Sequence, residues 1–223
     1  MLNKILHLIR KIGIDIVRIR NPFKEQLKAV GEAKIIFDIG ANEGNYTKQY
    51  SRFPNSTVFC FEPCRNTFNK LYENLGNKPN VMLYNSARGD KEEIKMLNMY
   101  SNSGYNSFLE FNQENAEDFE SCVVNTVDNF CIQNNIEEID IMKIDVQGYE
   151  LQVLKGAKQM LTNRKVKLVF VEGQFNPQYK NASTCFDIGK FLLPYGFIAH
   201  KLFNINYISG VLTHADFMFT LNE

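Results

Sequence analysis

After residue 33 the chain alternates between two patterns. Short apolar runs rich in β-branched and aromatic residues, AKIIFDIG, STVFCFEP, NVMLYNSA, IDIMKIDV and KVKLVFVE, read as buried strands. Between them lie stretches with helical spacing, such as Phe68, Leu71, Tyr72 and Leu75, or Leu151, Leu154, Ala157 and Leu161. Strand and helix in alternation imply crossover units on a parallel sheet covered on both faces, a doubly wound α/β fold. Near the end, GFIAHKLF and ADFMFTLN read as two more strands, with ISGVLTHA as the connection. Residues 100–120 are polar and weakly periodic, which predicts a loop or short helix over one edge of the sheet, a segment able to shape a pocket.

At the other end, Leu2, Ile5, Leu6, Ile9 and Ile12 recur at helical spacing with bases on the remaining faces. We therefore divide the chain into a basic amphipathic helical segment, 1–30, and one α/β domain, 31–223. Residues 1–28 hold seven bases and two acids, net +5, while the whole chain balances 25 bases against 25 acids, so the remainder carries −5. The balanced total gives no reason to expect nucleic acid as a partner. Packing on its own domain is the expected fate of the basic helix, and peripheral contact with an anionic membrane surface through residues 1–28 is the alternative. No apolar run is long enough to span a bilayer, and the opening lacks the unbroken apolar core of a signal peptide, so the cytoplasm is the expected compartment. Five cysteines without a C-x-x-C pair or a nearby histidine argue against a disulfide framework and a zinc site. The sequence sets no oligomeric state.

The candidate chemistry lies in the loops after the strands, where open α/β sheets bind ligands. In FDIGANEG, Gly40 provides a tight turn, Gly44 allows close backbone approach, and Asp38 ends the strand. A dinucleotide loop would place glycines at 40, 42 and 45, but Asn42 and Asn45 stand at two of these positions. The second strand ends in FCFEP. Its Glu62 can accept two hydrogen bonds from a ribose diol, so the two loops together favour a nucleoside cofactor.

FDIGANEG, FCFEP, SARGD, NTVDNF, MKIDVQGYELQVLKGA and VFVEGQFNP, in this order, resemble the FkbM-type methyltransferases, a branch of the class I S-adenosylmethionine-dependent enzymes, over about residues 34–220. The resemblance implies a Rossmann-like, seven-stranded, mostly parallel sheet with one antiparallel strand near the C-terminal end. It implies S-adenosylmethionine as cofactor, held by Asp38, Gly40, Ala41, Asn42 and Gly44 around its methionine part, by Glu62 and Pro63 at the ribose, and by Ser86 and Ala87 near adenine. It implies a hydroxyl acceptor, a sugar of a surface polysaccharide, glycolipid or secondary metabolite. Gln147 departs from the family pattern, which commonly has Glu there.

Methyl transfer to oxygen needs alignment and a proton acceptor. Asp145 and Glu172 end the fourth and fifth strands and are the candidates. Asp145 has three readings: base, partner of the cofactor's amino group, or cap of the helix starting near Gly148. Glu172 is read as the base or as a group accepting a substrate hydroxyl. No metal is expected. His7 and His200 are read as structural, and His214, in an expected loop, as a weaker candidate for the substrate. Lys143, Glu150, Lys155 and Asp128 are read as ordinary helix-face or strand-end charges. A non-catalytic nucleoside-binding module and a nicotinamide-dependent oxidoreductase are the alternatives; the latter lacks any Tyr-x-x-x-Lys pair.

Overall fold

The computed structural model describes residues 21–222, and the helix expected over Leu2–Ile12 lies outside them. The first helix, α1 (Pro22–Val30), starts where Asn21 accepts from the Lys24 amide and proline occupies the first turn. It ends at Gly31, whose φ of 76° suits glycine. Phe23, Leu27 and Val30 pack against the sheet, and the buried Gln26 accepts from the Tyr50 hydroxyl at 2.9 Å. Residues 22–30 therefore share the core of the domain that follows.

The central sheet has the strand order β3 (Val81–Tyr84), β2 (Thr57–Phe61), β1 (Ile35–Ile39), β7 (Ile139–Ile144), β8 (Val166–Gln174), β10 (Val211–Leu221), β9 (Phe197–Ile208). The first five run parallel, and β10 alone runs against them, between β8 and β9. This is the seven-stranded, mostly parallel sheet expected. Both faces are covered by separate apolar clusters, one built around Phe37, Phe61, Phe130 and Leu161, the other around Ile36, Tyr50, Leu71 and Met218. Hence β7, buried along its whole length, is the continuous apolar run that such a sheet requires, broken only by Asp140 and Lys143.

The C-terminal strands are longer than the sequence suggests. Ser209 (φ 50°) and Gly210 (φ 79°) form a two-residue turn, so much of ISGVLTHA belongs to strands rather than to a connection. A second sheet, β4 (Ala87–Arg88), β6 (Asp118–Asn125) and β5 (Glu93–Met99), is not foreshadowed by the sequence pattern. It packs through Leu97 and Cys122 against Cys64 just past β2. The segment between β5 and β6 contains one 3-10 turn, Ser103–Tyr105, and bridges to Asn98 and Tyr179. Among the described residues no helix is long and apolar enough to cross a membrane.

Candidate functional site

The strand order reverses beside β1, whose parallel neighbours β2 and β7 leave a crevice at their carboxyl ends. The turn after β1 is held by its backbone: the Gly40 and Ala41 amides donate to the Phe61 carbonyl at 3.0 and 3.1 Å. Gly40 has φ 77°, and a Cβ there would lie 1.8 Å from the Asp145 carbonyl oxygen, so glycine is needed for two strand-end loops to touch. Gly44, φ 92°, starts helix α2 (Asn45–Tyr50). Its missing Cβ makes room for Leu71 and Leu75 of helix α3 (Arg65–Leu75), at 2.7 and 2.6 Å, which is a packing role rather than an approach to a ligand.

Glu62 enters this crevice almost fully buried. Its two carboxylate oxygens each accept one backbone amide at 3.0 Å, from Asn42 and from Cys64. Burial pushes its carboxyl up to about 7 despite these two donors. Each oxygen keeps a free lone pair, and the group lines a cavity that also contains the apolar side chains of Phe61, Ala87, Leu97, Phe108 and Tyr149 among polar neighbours such as Asn106 and Ser107. Arg88 closes the floor, its guanidinium 3.9 Å from the Phe61 ring centroid. A diol acceptor beside apolar side chains fits an adenosine, so the residues present suit S-adenosylmethionine. Gly40, Asn42, Glu62, Pro63 and Ala87 line the cavity, and Ala41 lines the adjoining one. Asp38 and Ser86 stand outside both linings. Asp38 is fully buried beneath the turn, accepting Thr47 Oγ1 at 2.6 Å, and Ser86 accepts from Arg88 at 3.3 Å.

Lys143 corrects the expectation of an ordinary strand-end charge. It is 3% exposed, opposite Asp38 in the β1–β7 register, with Nζ 3.0 Å from Asp38, 2.9 Å from the Gly40 carbonyl and 3.7 Å from Asp145. Burial alone would lower its affinity for a proton, but Asp38 and Asp145 outweigh that and raise it, so the ammonium stays charged. Tyr46 places its ring 5.1 Å below.

Asp145 lines both cavities, and its side chain is 32% exposed. It does not cap the following helix, α5 (Glu150–Lys155). That turn is closed instead by the buried Glu150, whose Oε1 accepts the Val146 and Gly148 amides at 3.1 and 2.9 Å. Burial pushes Glu150 up to about 7. Asp128, likewise, receives the Gln159 and Met160 amides at the start of helix α6 (Lys158–Thr162) while lying in the first turn of helix α4 (Val127–Gln133).

Glu172 stands behind Asp145, and Gln147 joins them: Nε2 is 2.8 Å from Asp145 and 3.4 Å from Glu172. Burial, then the nearby Asp145, Glu150 and Asp216, raise the Glu172 carboxyl well above the usual range. Asp216 faces Glu172 across β8 and β10, accepts the Tyr46 hydroxyl at 2.9 Å and Asn204 at 2.7 Å, and is raised by burial and by Asp145. His214 lies on β10 rather than in a loop, Nε2 3.8 Å from Glu172, and His200 is solvent-exposed rather than enclosed. The sequence singles out neither Asp216 nor Leu97, Phe108 and Tyr149, and it marks Lys143 as an ordinary charge and Gln147 as a departure from the family pattern without placing either in the site. The cross-strand pairing of Asp38 with a lysine near the end of a mainly apolar strand is the one available signal.

The methyltransferase FkbM domain matches residues 38–199, more than half of the 223-residue chain. The chain is 24% identical over 155 residues to 2-O-methyltransferase NoeI of Sinorhizobium fredii, covering 62% of each, so it spans under two thirds of that relative's length. It is 27% identical over 177 residues to hexuronic acid methyltransferase AglP of Haloferax volcanii, covering 74% of this chain and 69% of that one. Among solved structures, an rRNA methylase from Streptococcus thermophilus shares 11% identity at a TM-score of 0.54, covering 92% of this chain and all of that one. Aeropyrum pernix fibrillarin with natively bound S-adenosyl-L-methionine shares 12% at 0.51, covering 86% and 68%. At such identities both likenesses concern the fold.

Proposed function

The chain belongs to the methyltransferase FkbM family, whose methyl donor is S-adenosylmethionine, and on that premise we propose that it methylates a hydroxyl oxygen of a sugar. The observation that carries this reading is the position of Asp145, on the lining of both the cavity that contains Glu62 and the one beside it. A proton acceptor thus stands where a cofactor pocket and an acceptor pocket meet.

Glu62 would take the ribose hydroxyls on its two free lone pairs, with Asn42 and Pro63 beside it and Ala87 among the apolar side chains. Bound there, S-adenosylmethionine supplies an electrophilic methyl on a sulfonium. The protein's part is to align the acceptor oxygen, exclude water and take the hydroxyl proton as the oxygen–carbon bond forms. We assign the proton to Asp145, with Glu172 behind it as a second carboxylate of raised proton affinity. The adjoining cavity is rich in uncharged hydrogen-bonding groups, Asn42, Asn45, Asn102 and Ser103, which suits a polyhydroxyl ligand. The names of the relatives NoeI and AglP point to the same class of acceptor.

Calorimetry with S-adenosylhomocysteine and NAD side by side tests the donor assignment. Binding of S-adenosylhomocysteine is expected, and binding of NAD alone would sink it. Transfer of labelled methyl to an alkali-stable ether on a glycan panel tests the acceptor. Label appearing only on protein, RNA or lipid would overturn the sugar assignment.

A further inference from the structure

Gln147 occupies a turn that an ordinary residue enters only at a cost. Its φ is 55°, and Gly148 follows at 94°. A left-handed non-glycine residue costs about 1–2 kcal/mol, and such strain persists where the surroundings hold it in place. Here they do so from three sides. The Gln147 carbonyl accepts Ser107 Oγ at 2.7 Å, and Glu150 Oε1 takes the amides on either side, those of Val146 and Gly148.

The side chain is fixed as firmly as the backbone. Oε1 accepts the Tyr179 hydroxyl at 3.0 Å, while Nε2 points at Asp145 and Glu172, at 2.8 and 3.4 Å. Turning the amide over would set its oxygen against two carboxylates, so these acids choose its orientation. One uncharged group thus supplies the donor that two neighbouring acids share.

We infer that Gln147 is a positioning residue for the acceptor end of the site: its amide holds Asp145 in the cavity with Glu172 behind it, and its lack of charge spares the two acids a further negative neighbour. Its purpose rests on the methyl-transfer reading above; its electrostatic effect does not. Glu172 is faced by Asp145 in the loop after β7, Glu150 on α5, Asp216 and His214 on β10, Tyr179 in the loop after β8, and Lys143 on β7. Three of these are acids and Lys143 is the only lysine, so the balance already opposes ionisation. A carboxylate at 147, in place of a donor, would oppose it further.

Side-chain carboxyl titration by NMR on the full chain, labelled with 13C-glutamate, reads this directly. The Glu172 resonance is identified in each background by its loss on Glu172→Gln. Gln147→Glu is expected to move the Glu172 midpoint up by about one pH unit, and Gln147→Met, which keeps the length but removes the donor, to move it up by less. A midpoint that stays put or falls in either folded variant overturns the inference, and Gln147→Met decides alone if Gln147→Glu fails to fold. Calorimetry with S-adenosylhomocysteine on the unsubstituted protein is read separately: absence of binding there would defeat the methyl-transfer reading and leave the titration result intact.

Discussion

The two ends of the crevice are built by different means. The end we propose for the donor is local: Gly40, Asn42 and Glu62 lie within one strand–helix–strand unit, and backbone hydrogen bonds from the Gly40, Ala41, Asn42 and Cys64 amides set its shape. The end we propose for the acceptor is assembled from afar, from Asp145 and Gln147 after β7, Glu172 on β8, Tyr179 beyond it and Asp216 on β10. Its property is collective, a crowd of acids around one lysine. Substitutions at the donor end should therefore appear as changes in cofactor affinity, and those at the acceptor end as changes in rate and pH dependence.

Lys143 ties the two ends together by charge, touching Asp38 and the Gly40 carbonyl on one side and Asp145 on the other. Lys143→Met leaves Asp38 buried without its counter-charge. Removing one partner of a buried ion pair costs about 3–5 kcal/mol, so this variant should show the largest effect. Urea unfolding should reveal the loss of stability, and calorimetry a parallel loss of S-adenosylhomocysteine binding. A stable variant that still binds would mean the two ends are independent.

Asp145→Asn should separate the ends. The amide keeps the shape and can still meet Gln147, but it cannot take a proton. Turnover should fall by about 10²–10⁴-fold, the usual worth of a positioned base, while S-adenosylhomocysteine affinity stays within a few-fold. The reverse pattern, affinity lost with turnover at saturation preserved, would move Asp145 to the donor end as the partner of the cofactor's amino group.

The same contrast explains what can be read from the sequence. The donor end is written in consecutive residues, FDIGANEG and FCFEP, and the parallel strands appear as β-branched runs, so both are legible. Lys143 is not, because a lysine normally seeks water; only the register that sets it opposite Asp38 makes burial tolerable. The left-handed turn at Gln147 leaves no trace in residue type. The small sheet is hidden for a related reason. Ile94, Met96, Phe119 and Val123 stand exposed on its outer face, so β5 and β6 lack the apolar-in, polar-out alternation that announces a strand. Asp216 sits in a strand that the sequence foretells, but its meeting with Glu172 depends on the antiparallel pairing of β10 with β8.

Glu62 gives the smallest and most specific test of the donor end. Its carboxyl is raised to about 7 in the folded chain, from an ordinary 4.5, chiefly by burial. For a raised acid the contribution to stability is fully present below the unfolded value and is lost as pH rises through the folded one, so the unliganded protein weakens between about pH 4.5 and 7 on this account. A ribose diol changes the sign for binding, since its hydroxyls donate to the ionised form. Affinity for S-adenosylhomocysteine should rise with pH through about 7 and level off above it. Glu62→Gln should lose about tenfold to a hundredfold in affinity at pH 8, the worth of hydrogen bonds to a charged group, and should lose the pH dependence as well. If the glutamine variant kept the same slope, the titrating group would lie elsewhere, with Glu150, also raised to about 7 but buried beneath the acceptor-end turn, the first to test. The slope would then belong to the acceptor end, and the division between a backbone-built donor end and a charge-built acceptor end would fail at the residue that most clearly defines it.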